Sequence, residues 1–225
     1  MSRHLKAYAA PKSWTIRKKV NKWTTRPLPG AHAFEFAMPI SLLLRQLGFV
    51  KTTREIKKII NNKEVLVDGK VVSTHHHPIG FMDVIHIKPK LYLRGSFDQK
   101  GRLVFKEIGM EETKRKACRV TGKRTVSGGK IQLSFLDGRN ILVEKGSYGI
   151  GDTVIIEIPA QKIVEHIPLT KGNAAFLIGG RHKGSLMKVE AVEGNMVRCS
   201  SGKDVVETLK KFVVIVGKDK PLVTV

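Results

Sequence analysis

Apolar positions fall at helical spacing from Pro39 onward. Leu43, Leu44 and Leu47 share one face behind Ser41, which reads as the N-cap, and Gly48 is the expected stop. Thr52 and Glu55 have the spacing of a capping box, opening a second helix whose apolar stripe is Ile56, Ile59 and Ile60. At about 100° per residue, Arg54, Lys57 and Lys58 point away from that stripe. Val65-Leu66-Val67 and Lys70-Val71-Val72 flank Asp68-Gly69, the signature of a two-residue hairpin. Helix, helix and hairpin predict one compact unit.

The remainder reads as strands. Val84 to Ile87, Leu91 to Leu93, Leu103 to Phe105, Ile131 to Phe135, Ile141 to Val143 and Val154 to Ile158 are separated by turns rich in Gly and Asp. A helical insertion is expected over Glu111 to Cys118. Short strands at Ala174 to Ile178, Leu186 to Val192, Met196 to Cys199 and Phe212 to Val216, joined by glycine turns, suggest a small β-barrel. The expected class is therefore α+β, predominantly β. Its segments are a basic N-terminal extension over 1–38, the helix-helix-hairpin module over 39–90, a central β domain over 91–168 and the barrel over 169–225.

Charge changes this picture from fold to partner. In 225 residues, 41 Lys and Arg stand against 19 Asp and Glu, a formal net charge of +22. Such an excess favours an anionic partner, nucleic acid or an acidic membrane surface. The longest apolar runs, such as Phe212 to Val216, are far short of a bilayer span. Neither a secretory signal nor an organelle transit helix is evident at the N-terminus, where Pro11, Pro27 and Pro29 intervene, so a cytoplasmic protein is expected. Cys118 and Cys199 are far apart and form no CxxC pair, which points to reduced thiols.

The first 30 residues carry eight basic and no acidic side chains together with both tryptophans, and read as an extended arm. Arg3, His4, Lys6, Lys12, Arg17, Lys18, Lys19, Lys22 and Arg26 can neutralise phosphates, while Trp14 and Trp23 can stack on unpaired bases. The competing reading folds the tryptophans back as packing anchors. Removing residues 2–30 is expected to leave the folded domains intact. Arg45, Lys51, Thr52, Arg54, Lys57 and Lys58 form a second basic surface, where free backbone amides at the second helix's N-terminus would add attraction for phosphate. Lys70 extends it at the hairpin bend. Arg181, His182 and Lys183 lie between Gly179-Gly180 and Gly184, a third candidate contact or a sharp turn with incidental charge.

Catalytic patterns are not assembled. Gly122-Lys123-Arg124-Thr125 lacks both the upstream glycine and the hydroxyl of a P-loop, and Gly149-Ile150-Gly151 is followed by Val154 where a dinucleotide fingerprint needs glycine. Consecutive His75, His76 and His77 point in different directions, against a metal site, and His86 in an alternating strand reads as a structural histidine. Asp137-Gly138-Arg139 reads as a hairpin turn. No catalytic residue, metal, cofactor or small-molecule substrate is expected.

The opening run His4-Leu5-Lys6, Ala10-Pro11-Lys12 with Trp14, Arg26-Pro27 and Pro29-Gly30 with His32 resembles the small-subunit ribosomal protein family S-four-e (S4e) of archaea and eukaryotes. The resemblance continues through the capped basic helix, Val67 to Val71, Gly80-Phe81-Met82-Asp83-Val84-Ile85, Lys100-Gly101-Arg102, the Gly179 to Gly184 loop and Phe212 to Lys218. It implies an S4-type RNA-binding module, a family-specific central domain and a KOW-type barrel resembling an SH3 fold. The implied role is a ribosomal RNA-binding constituent of the small subunit in the cytoplasm, beside neighbouring ribosomal proteins. The chain ends without the long basic tail of eukaryotic members, which looks archaeal. An RNA-modifying enzyme with an S4-type module, or a KOW factor that binds transiently, are the alternatives.

Overall fold

A computed structural model describes residues 4–144, 146–202, 204–218 and 221–225; of Asp204 it describes the backbone alone. The chain divides into two compact units, one running to Ser96 with Arg102–Ile108 added, the other Phe97–Gly101 with Gly109–Val225.

The first unit begins with β1 (Leu5–Lys6) paired antiparallel to β2 (Trp23–Thr24), so the basic segment is folded and not an extended arm. Apolar residues scattered among its cations account for this. Ala7, Ala10 and Trp14 are buried, Trp14 Nε1 donates to the Ala37 carbonyl at 2.6 Å, and its ring packs on Phe34. The Ser13 hydroxyl donates to the Glu35 carbonyl at 2.9 Å and the Ser13 carbonyl accepts from Leu103 at 2.8 Å.

After β3 (Met38–Pro39), α1 spans Ile40–Gln46. Its N-cap is Pro39, and Ser41 lies within the first turn, buried, with a hydroxyl that has no partner among the described residues. No side-chain cap is required there, because the first amides, Ile40 and Ser41, donate to the carbonyls of His77 and His75. Gly48 ends the helix at φ 77°. Helix α2 (Thr53–Asn61) has the full capping box of Thr52 and Glu55, with Ile56 and Ile60 buried.

Strands β4 (Val65–Val67) and β5 (Lys70–Val71) form the hairpin, with Asp68 and Gly69 both at positive φ, as a type I′ turn demands. Then come β6 (Pro78–Ile79), which pairs with β3, followed by β7 (Val84–Ile87), β8 (Leu91–Phe97) and β9 (Leu103–Glu107). The sheet order is β5-β4-β7-β8-β9. The turn before β7 explains Gly80-Phe81-Met82-Asp83. Asp83 Oδ2 accepts from the Gly80 amide at 2.8 Å and faces His32 Nε2 at 2.8 Å, with both side chains buried. A Cβ on Gly80 would fall 2.6 Å from the His32 ring, so only glycine fits.

In the second unit, β10 (Arg115–Thr125), β11 (Ile131–Phe135), β12 (Asn140–Val143), β13 (Thr153–Glu157) and β14 (Lys162–Ile167) form a sheet ordered β12-β11-β10-β13-β14. The helix expected over Glu111 to Cys118 is a single 3-10 turn at Glu112–Lys114, followed by the long strand. Charged residues in the strand's buried stretch hid its pattern. Lys116 is 1% exposed, its ammonium 3.2 Å from Asp137, and Arg119 is buried with a guanidinium bond to the Lys210 carbonyl. One half of β10 pairs with β13 and the other with β11, across a bulge between Val120 and Gly122.

The last sheet is built of β15 (Ala174–Leu177), β16 (Leu186–Glu193), β17 (Met196–Ser201), β18 (Asp204–Leu209) and β19 (Val213–Gly217), ordered β18-β17-β16-β15-β19. Strand β18 adds to the four expected, and β18 and β19 are its edges. One apolar cluster joins Ile155 and Ile167 to Leu177, Val189, Val197, Cys199 and Ile215, so the two sheets of this unit share a core. Both cysteines are buried thiols outside any disulfide, and burial pushes the Cys199 thiol up to about 11.

Candidate nucleic-acid interface

The basic surface of the first unit rests on α2. With Ile56 and Ile60 facing the core, Arg54, Lys57 and Lys58 are left exposed, as are Lys51 and Thr52 before the helix and Lys70 on the hairpin. Arg45 is exposed at the end of α1, where its Nη2 donates to Thr53 Oγ1 at 2.8 Å, tying the two helices across their loop. The capping box takes the Glu55 amide, which donates to Thr52 Oγ1 at 3.3 Å, and the two amides just before the helix. Glu55 Oε2 accepts from Lys51 at 2.8 Å and Thr52 at 3.2 Å, and these backbone bonds hold the Glu55 carboxyl below its usual range. The carboxylate thus stands among the cations at the helix start, and the first-turn amides of Thr53 and Arg54 are not among those it takes.

The N-terminal segment presents His4, Lys6, Lys12, Arg17, Lys19 and Lys22 at the surface, with Arg26 half-buried; Arg3 lies outside the described residues. Lys18 is partly spent, donating to the Ala10 carbonyl at 2.7 Å. The two tryptophans separate cleanly. Trp14, 3% exposed and hydrogen-bonded, has no face to offer a base and is a packing anchor. Trp23 is 51% exposed, with Lys22 Nζ 5.5 Å above its ring and the His4 ring 5.6 Å away. Sequence reasoning passed over other exposed rings, among them Tyr8 at 80% in this segment and Phe49 at 51% between α1 and α2, because an isolated aromatic outside a periodic run carries no signal.

In the second unit, Arg181 is exposed and His182 half-buried on the turn after β15. Lys183 is turned inward, its Nζ 3.6 Å from the centre of the buried Phe97 ring, and is a cation-π anchor of that turn.

The other polar clusters are structural. Asp137 accepts from Cys118 and binds Lys116 and Arg139 Nε at 3.0 Å, a buried hub at the β11-β12 turn. Asp152 takes the amides of Gly149 and Leu169 and faces His166 Nε2 at 2.8 Å, which gives the Gly149-Ile150-Gly151 turn its role. The histidine run fastens the N-terminal segment: His76 Nδ1 lies 2.7 Å from the Arg26 carbonyl, and the Leu28 amide donates to the His76 carbonyl. His86 is stacked on Tyr92, but its buried Nε2 has no partner among the described residues, so it is less satisfied than its strand position suggested.

Comparison with known proteins matches three consecutive family models to the chain up to residue 163. An RS4NT (NUC023) domain matches residues 1–35, an S4 domain 38–85 and the ribosomal family S4e 90–163. The small ribosomal subunit protein eS4 of Methanosphaera stadtmanae is 39% identical, over 99% of this chain and 95% of its own length. That of Methanothermobacter thermautotrophicus is 38% identical, with the same coverage of both chains. The chain belongs to the S4e family. The crystal structure of the 30S ribosomal protein S4e from Thermoplasma acidophilum agrees in fold, with a TM-score of 0.70 and 28% identity over 81% of this chain and 95% of that one. In this S4e chain the S4 domain contains both helices and the hairpin, which carry Arg45, Arg54, Lys57, Lys58 and Lys70.

Proposed function

We infer that this chain is a structural constituent of the small ribosomal subunit, located with the ribosome in the cytoplasm, that binds ribosomal RNA and catalyses no reaction. The observation that carries the reading is the split of α2 into a buried isoleucine stripe and an exposed row of Arg54, Lys57 and Lys58, in an S4e chain of net charge +22. Phosphate neutralisation supplies affinity and makes it salt-dependent, whereas shape and unpaired bases supply placement. The RNA-facing set comprises the exposed cations of the N-terminal segment with Trp23 as a stacking ring, Arg45, Lys51, Arg54, Lys57, Lys58 and Lys70 in the S4 domain, and Arg181 with His182 in the last module. Functional segments at 1–38, 39–90, 91–168 and 169–225 fit this division, the last as a KOW-like, SH3-type barrel. Its five antiparallel strands, bulged at Ala174/Ala175 and Val189/Ala191, support that assignment. Neighbouring ribosomal proteins are the remaining partners.

Changing Arg54, Lys57 and Lys58 together to Ala tests the reading in a salt titration of binding to small-subunit RNA. Each lost phosphate contact lowers the slope of log affinity against log salt by roughly 0.7, so the expected change is about 2, with a Tm close to wild type. Unfolding of the variant with unchanged affinity in its folded fraction would contradict the assignment of this face.

A further inference from the structure

The turn after β15 borders a cleft of about 250 Å³ whose apolar floor is Met196, Val206, Leu209 and Phe212. It lies on the side where β18, an edge strand, runs past the Gly179-Gly180 turn, and Arg181 and His182 are part of its lining. Four consecutive backbone amides, Gly179 to His182, find no hydrogen-bond acceptor among the described residues, while the amides of Ile178, Gly184 and Ser185 on either side are satisfied. The turn itself is fixed. The Phe212 ring lies where a Gly179 Cβ would be, 2.3 Å away, Gly180 stands at φ 83°, and Lys183 is anchored on Phe97. A rigid run of unpaired amides beside a guanidinium attracts an anionic oxygen, and an apolar floor of this size accepts one planar ring and its sugar.

We propose that this cleft holds a single unpaired nucleotide of the bound RNA. The Gly179–His182 amides and Arg181 meet its phosphate, and its base and ribose rest on Met196, Leu209 and Phe212. The charge favours this occupant over an apolar side chain of a protein, which would leave the four amides and Arg181 unmatched. The inference rests on the RNA-binding reading and specifies a site within it.

The test is ultraviolet crosslinking at zero length of the full chain bound to an unmodified small-subunit RNA transcript, with the attached nucleotide mapped by peptide mass spectrometry. A nucleotide attached to His182, Met196 or Phe212 is expected. Met196→Ala, at a half-exposed position, should weaken RNA binding about three- to tenfold with the salt slope unchanged. Arg181→Ala should also lower the slope by roughly 0.7. No adduct within the cleft overturns the proposal whatever the variants do, and RNA binding that persists with its wild-type salt slope leaves the broader reading standing. Absence of any RNA binding by the wild-type chain overturns both.

Discussion

Two tryptophans in one short basic segment do different work, and burial decides which does what. Trp14 fills a core position and its indole N–H is satisfied, so Trp14→Ala should cost about 3–5 kcal/mol of stability, read as a fall in the urea midpoint. Trp23→Ala should leave that midpoint within error and weaken RNA binding by the roughly 1–3 kcal/mol of a lost base stack. Equal destabilisation by the two would contradict the division. His77 gives a prediction with a sign. Burial lowers its pKa below 6.5; Asp83 and Asp68 oppose the shift and His32 adds to it. The unfolded chain then takes up the proton more readily, so stability is complete above about pH 6.5 and declines as the pH falls below it, toward the folded value. His75, also lowered by burial, acts in the same direction. Urea midpoints at pH 7.5 and 5.5 should differ in this sense, and His77→Gln should reduce the difference; a midpoint that rises on acidification would refute it.

At the scale of elements, what was legible depended on whether local rules operated alone. The capping box of Thr52 and Glu55, the Asp68-Gly69 hairpin and the Gly48 stop are set by neighbours in sequence, and each forms as its residues dictate. Ser41 illustrates the opposite case, since tertiary carbonyls from His75 and His77 cap α1 and leave the hydroxyl buried without a partner among the described residues. Strand β10 was illegible because its buried positions include Lys116 and Arg119, whose partners, Asp137 and the Lys210 carbonyl, are distant in sequence. The exposed cations of α2 were readable from periodicity, but the hold of the Glu55 carboxylate on the Lys51 amide as well as that of Thr52 was not, although both halves of the box were in view. The inward turn of Lys183 likewise depends on Phe97, a contact across 86 positions of the chain.

At the scale of the molecule, the basic N-terminal segment is part of a folded unit. Its hydrogen bonds run from Trp14 to Ala37, Ser13 to Glu35 and His32 to Asp83, and its β1-β2 pair closes on itself. Deleting residues 4–30 should therefore destabilise the first unit by several kcal/mol, mainly through loss of Trp14, in addition to weakening RNA binding. A deletion chain with the wild-type urea midpoint would restore the picture of a free arm. The central claim, residence in the small subunit through RNA, is tested most directly by a sucrose gradient of gently lysed cells with this chain quantified by mass spectrometry in each fraction. The account predicts near one copy per small subunit, retained through a moderate salt wash. Mostly free or substoichiometric protein would contradict it.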